Sequence, residues 1–238
     1  MEAQMKIFED VKDGLSKRQQ ILTETGGQAE VTFCENNFTN FEGVLFLDGC
    51  EGFVKNLPAA NRNDAKFLEI GCGTGCMSVI YYLRNKANLS YVLATDINHR
   101  ALDNTSYNFN RYNVPGEVRY SDVFDSVAED EKFDLIFWNF PFVYLPTDAE
   151  VVSTFTVLDL SMVDAGYEAA GRFMAGAHRH LRPGGKAILA FSRTLGRPDI
   201  LENVAKKENR RLEFIWSENT VQSGSTEIFD LVQVIAMD

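Results

Sequence analysis

With 238 residues the chain is long enough for one well-cored domain with an appendage and too short for two full-sized ones. An apolar fraction of 45% with 18 phenylalanines excludes a disordered chain, and a formal net charge of −11 works against a phosphate backbone, so nucleic acid is disfavoured unless a basic patch or partner supplies charge. The opening MEAQMKIFEDVKDG has no apolar signal stretch, no run approaches the roughly 20 residues of a membrane helix, and Cys34, Cys50, Cys72 and Cys76 are too few for a disulfide framework; a soluble cytoplasmic protein is expected.

Apolar residues at Phe8, Val11, Leu15 and Leu22 predict a helix within residues 5–22, and Gly26 and Gly27 a turn after it. The runs VTF and VLFL between Val31 and Leu57, set among Asn36, Asn37, Asn40 and Gly43, predict a small hairpin or ribbon. From Lys66 onward short apolar runs (KFLEI, YVLAT, EVRYS, FDLIFW, KAILAF, LEFIWS, EIFDLVQVIAM) alternate with amphipathic stretches near 76–87, 98–112, 166–181 and 198–208. That alternation predicts an α/β fold with a mostly parallel sheet and helices on both faces, closed by an antiparallel hairpin around Gly224.

FLEIGCGTG is a strand running into a glycine turn that opens a helix near Cys76. Gly71, Gly73 and Gly75 suit a backbone that passes close to a ligand. A dinucleotide fingerprint wants glycine where Cys76 stands, which argues against a nicotinamide-dependent oxidoreductase. YVLATDIN ends its strand at Asp96, where a carboxylate can accept from two ribose hydroxyls. SDVFD places Asp122 and Val123 after the next run, and FDLIFWNFPFVY sets Asn139, Phe140, Pro141 and Phe142 past the fourth strand, at the sheet edge where open α/β folds bind ligands.

In order and spacing these motifs resemble class I S-adenosylmethionine-dependent methyltransferases of the small-domain and release-factor glutamine methyltransferase-like group, over residues 45–192. The resemblance implies a Rossmann-like seven-stranded sheet and the cofactor S-adenosylmethionine, with Glu69 near its methionine part, Gly71, Cys72, Gly73 and Gly75 wrapping it, Asp96 on the ribose, Ile97 on the adenine face, and Asp122 with Val123 at the adenine amino group. Asn139, Pro141 and Phe142 resemble the Asn-Pro-Pro-Tyr motif of amino-group methyltransferases, from which Phe140 departs. In that motif Asn139 and the Phe140 or Pro141 carbonyl would accept the target N–H groups, and Phe142 would stack on the planar acceptor. Asn139 would also touch the cofactor.

Residues 1–57 are then expected as a helix and cap, with Phe46 and Asp48 lining the site, and 58–238 as the methyltransferase domain. The long connection 143–165 is expected to shape the acceptor pocket, and Asp164 to Gly166 loosely matches an acidic-glycine segment of the glutamine methyltransferases. Cys72 and Cys76 read as packing residues without zinc spacing, His178 and His180 as a cationic helix terminus, and His99 as a helix start. The function expected is transfer of methyl to a nitrogen of a protein side chain or small-molecule amine. Three alternatives stand beside it: a catalytically silent binding subunit, a nucleic-acid amino-group methyltransferase that needs an activating partner, and an aminopropyltransferase, for which only Asp122 and Asp125 offer an acidic pair.

Overall fold

The computed structural model describes residues 2–148, 150–222 and 225–237. The first helix, α1 (Glu2–Glu24), buries Phe8, Leu15 and Leu22, and the turn at Gly26 and Gly27 comes next with both glycines at positive φ. After it run β1 (Gln28–Phe33) and β2 (Asn36–Phe41), an antiparallel hairpin as expected of VTF and its asparagines.

VLFL forms no strand. It runs as an irregular segment because side chains of α1 take its backbone acceptors: Gln19 Nε2 donates to Val44 O at 3.2 Å and Arg18 to Phe46 O at 2.9 Å. A short helix, α2 (Glu51–Asn56), succeeds it.

The remaining elements are β3 (Ala65–Ile70), α3 (Cys76–Asn85), β4 (Leu89–Asp96), α4 (His99–Tyr112), β5 (Gly116–Tyr120), β6 (Phe133–Asn139), β7 (Val143–Leu145), β8 (Val163–Ala165), α5 (Glu168–Gly176), β9 (Leu181–Ser192), α6 (Pro198–Lys207), β10 (Arg210–Gln222) and β11 (Ser225–Ala236). Seven strands make one sheet in the order β10-β11-β9-β6-β3-β4-β5, parallel from β9 to β5 and antiparallel at β11 and β10. Gly224, expected at the tip of that last hairpin, lies outside the described residues.

Consecutive buried residues along β3, β6 and β9, among them Phe67, Leu68, Ile136, Phe137, Ile188 and Leu189, show that both sheet faces are covered, as a parallel sheet requires. The strand order reverses between β3 and β6, the place where such sheets open a crevice at their carboxyl ends.

The 143–165 connection is a subdomain of its own. β7 and β8 pair in parallel, two short 3₁₀ turns lie between them, and Val143, Leu145, Met162 and Val163 form a second small core with Phe8 and Leu15 of α1. No helix among the described residues is long and apolar enough to cross a membrane.

Candidate active site

The carboxyl ends of β3, β4 and β6 bring Ile70, Asp96 and Asn139 to the same edge of the sheet, where they border a cavity of about 380 Å³. That lies within the range of small-molecule sites. Its wall includes Glu69, Gly71, Cys72, Gly73, Asp96, Ile97, Asp122, Val123, Asn139, Pro141 and Phe142 of the residues expected from sequence, so these converge; Gly75, also expected, does not line it and caps α3 instead.

The glycine loop is held by protein before any ligand is considered. A Cβ on Gly71 would stand 2.7 Å from Trp138 Nε1, and one on Gly75, at φ +75°, 2.8 Å from Thr105 Cγ2. Thr105 Oγ1 donates to Gly73 O at 2.9 Å and Asn108 Nδ2 to Thr74 O at 2.9 Å, so buried polar residues of α4 fix the loop's carbonyls. Asp96 fixes its amides: Oδ2 accepts from Gly73 N at 3.0 Å and Oδ1 from Asn98 N at 2.8 Å. Burial nonetheless holds the Asp96 carboxyl above its ordinary value.

Glu69 is 2% exposed, and its Oε2 accepts from both the backbone N–H and the hydroxyl of Ser78. Burial outweighs those two hydrogen bonds and pushes its carboxyl up to about 8, so Glu69 is largely protonated at neutral pH in the cofactor-free protein. Cys72 and Cys76 are buried, with thiols raised by desolvation. Burial thus disfavours the thiolate form of both.

Asp122 borders the cavity and pairs with Arg172 of α5 at 2.8 Å. Val123 beside it is buried at φ +53°. Phe46 also lines the cavity, but Asp48, expected with it, is turned to a surface ion pair with Arg18 at 3.1 Å. His99 begins α4 and stacks on Tyr120. His178 and His180 differ from expectation: both lie in a partly buried 3₁₀ turn where desolvation lowers their basicity, which favours neutral rings over a cationic terminus.

In the wall of the same cavity the side-chain oxygen Asn139 Oδ1 is buried and has no hydrogen-bond partner. An unpaired buried acceptor of this kind costs roughly 1–3 kcal/mol, which a ligand N–H would return. Pro141 shares this wall. The Phe142 ring is 6% exposed and lies edge-on or tilted to Phe53, Phe140, Phe191 and Phe229 at 6.1–6.5 Å, so little of it is open to stack on an acceptor.

Several lining residues have no local signature. Val11 of α1, Leu45 of the VLFL segment, Trp138, Met162 and Arg172 reach the cavity through tertiary packing. Asp164, a loose match in the sequence, caps α5 by accepting from Ala169 N and Ala170 N at 3.1 and 2.8 Å; burial raises its carboxyl to about 6.

Residues 45–156 match the family model of the methyltransferase small domain, and the chain carries the class I S-adenosylmethionine-dependent methyltransferase fold. It is 27% identical over 141 residues to ribosomal RNA small subunit methyltransferase C of Haemophilus influenzae, covering 59% of this chain and 36% of that one. It is 32% identical over 139 residues to the release factor glutamine methyltransferase of Cereibacter sphaeroides, covering 56% and 49%. The chain thus spans half or less of the length of these curated relatives. The T. thermophilus 16S rRNA N2 G1207 methyltransferase, solved in complex with AdoMet and guanosine, superposes with a TM-score of 0.56 at 16% identity over 88% of this chain and 50% of that one, a likeness of fold alone.

Proposed function

We propose that this methyltransferase small-domain chain transfers a methyl group from S-adenosylmethionine to a nitrogen held at Asn139. The carrying observation is the buried, unpartnered Asn139 Oδ1 in the wall of a cavity that the glycine loop also borders. The donor set fits the cofactor. Glu69, Asp96, Ile97, Asp122 and Val123 all border the cavity: Glu69 would take the α-amino group, which would favour its charged form, the Asp96 carboxylate would accept from the ribose, and Ile97, Asp122 and Val123 would hold the adenine.

Bound there, the cofactor supplies an electrophilic methyl on sulfur. The protein's part is positioning: Asn139 Oδ1 accepts one N–H of the acceptor and the Phe140 or Pro141 carbonyl a second, which aims the nitrogen lone pair along the line of displacement and stabilises positive charge as it forms. In this reading residues 1–57 cover the site, 58–238 form the methyltransferase domain, and the protein works in the cytoplasm.

The test is calorimetric titration with S-adenosylhomocysteine, with NADH as control. One-to-one binding in the micromolar range, about −8 kcal/mol, is expected, with no binding of NADH. Asn139→Ala is expected to bind S-adenosylhomocysteine as the wild type does while losing transfer of labelled methyl. Undiminished transfer by that variant overturns the role of Asn139, and absence of S-adenosylhomocysteine binding by folded protein overturns the function.

A further inference from the structure

The acceptor end of the cavity has a roof, and the roof limits what can enter. Val11 of α1 and Val157, Leu160, Ser161 and Met162 of the 143–165 subdomain line the same cavity as Asn139. α1 is fastened over it on both sides. Toward the subdomain, Lys12 pairs with Asp159, whose side chain is 5% exposed, at 2.9 Å, and the Phe8 ring packs 5.2 Å from that of Phe155. Toward the cofactor side, Gln19 Oε1 accepts from Gly43 N at 2.6 Å and Arg18 donates to Phe46 O. A polymer that presents a base or a side chain would meet this helix first.

The chemistry of the wall narrows the occupant further. Arg172 is the one basic side chain among the described residues bordering the cavity, and Asp122 already pairs with it; Asp164 and Glu168 stand nearby, and the whole chain carries −11. A phosphate backbone finds no counter-charge here. Val157 and Leu160 are 46% and 38% exposed, so the rim offers apolar surface instead. The buried Asp164 spends one acceptor site of each oxygen on α5 amides, which hold it as part of the helix entry. A nitrogen that is already neutral at working pH meets Asn139 Oδ1 with its N–H and keeps its lone pair.

We infer that the acceptor is a free small molecule with an apolar body and a planar, uncharged amino or carboxamide nitrogen, admitted beneath α1, an inference that rests on the methyltransferase reading above. The nitrogen lone pair forms the N–C bond while the methyl–sulfur bond breaks with its pair going to sulfur, and one N–H proton leaves to solvent.

The full chain with labelled S-adenosylmethionine would be offered aniline, benzamide and adenine as free probes, and ribosomal RNA and a histone mixture as macromolecular ones. Label is expected on at least one free probe and on neither macromolecule. Val11→Trp and Leu160→Trp, each filling the roofed space from a different element, are expected to lower that transfer at least tenfold with S-adenosylhomocysteine affinity within twofold of wild type. Label on RNA or protein overturns the inference, as does absence of transfer to every free probe by protein that binds S-adenosylhomocysteine, or undiminished transfer by both variants. Failure to bind S-adenosylhomocysteine at all strikes the methyltransferase reading instead.

Discussion

The hydroxyl of Tyr167 donates to the carbonyl oxygen of Phe142 at 2.7 Å and accepts from the backbone N–H of Arg197 at 2.9 Å. Tyr167 is fully buried at φ +52°, with its ring edge-on to Phe140 at 5.7 Å and to Tyr144 at 5.2 Å. One side chain therefore ties the Asn139–Phe142 turn to the entry of α5 and to the start of α6. Because Tyr167 takes the Phe142 carbonyl, that group is withdrawn from acceptor binding, and Asn139 Oδ1 is left as the side-chain acceptor on the wall.

Tyr167→Phe removes the hydroxyl and leaves the buried Phe142 O and the partly buried Arg197 N without it. Each unsatisfied group costs roughly 1–3 kcal/mol, so urea unfolding is expected to show a loss of about 2–6 kcal/mol. The loosened turn is expected to slow methyl transfer by up to ~100-fold, the effect of a misplacement near 1 Å. S-adenosylhomocysteine affinity, which the proposal assigns to Asp96 and the glycine loop and not to this turn, is expected to hold; loss of cofactor affinity with unchanged transfer would contradict the proposed division of labour.

Asp96 is expected to matter to the cofactor in two ways, through its own charge and through the loop amides that it orders. Its hydrogen bonds to Gly73 N and Asn98 N are of the charged kind, worth roughly 1.5–3 kcal/mol each, and about 1.4 kcal/mol is tenfold in affinity. Asp96→Ala is therefore expected to weaken S-adenosylhomocysteine binding 10- to 100-fold or more in calorimetry. Asp96→Asn, which keeps one acceptor oxygen, is expected to fall between. Equal affinity in all three proteins would remove Asp96 from the site.

Glu69 gives a pH signature. Its carboxyl rises from an ordinary 4.5 to about 8 in the fold, so between those values the unfolded chain releases a proton that the native chain keeps. Stability is then lost as pH rises through that window, the sign expected when the native state binds more protons. Gln at this position still accepts from Ser78 and has no proton to lose. The melting temperature of Glu69→Gln relative to wild type, both cofactor-free, is expected to be near parity at pH 5 and clearly higher at pH 8. Asp164, raised to about 6, titrates in both proteins and cancels in the difference. A difference that does not change with pH would mean that Glu69 is ionised throughout.

Much of this site is legible in the sequence because it is local. A parallel strand buried on both faces reads as an apolar run, and the residues at its end sit at the sheet's carboxyl edge, so Glu69, Asp96 and Asn139 are found by their distance from the ends of β3, β4 and β6. VLFL misleads because an apolar run takes its partners from outside itself: α1 supplies the hydrogen bonds that a neighbouring strand would have supplied. Val11, Tyr167 and Arg172 are invisible for a related reason. Helical period identifies Val11 as one face of α1 without saying which cavity that face closes, and nothing around Tyr167 reports that its hydroxyl will meet Phe142, 25 residues earlier.

Gly75 separates backbone strain from packing at the glycine loop. It occupies the left-handed region, where a Cβ costs roughly 1–2 kcal/mol, and that Cβ would also press on Thr105 Cγ2 at 2.8 Å, Oγ1 at 3.0 Å and Cα at 3.2 Å. Gly75→Ala is expected to lose about 2–4 kcal/mol in urea unfolding, the second part of it from Thr105 giving way. Thr105→Ser removes only the methyl and keeps the hydroxyl that donates to Gly73 O. In a double-mutant cycle Gly75→Ala with Thr105→Ser is expected to be more stable than the sum of the single losses by roughly 0.5–3 kcal/mol, the coupling of residues in contact. Strict additivity would mean that the Thr105 methyl has no steric part in the cost.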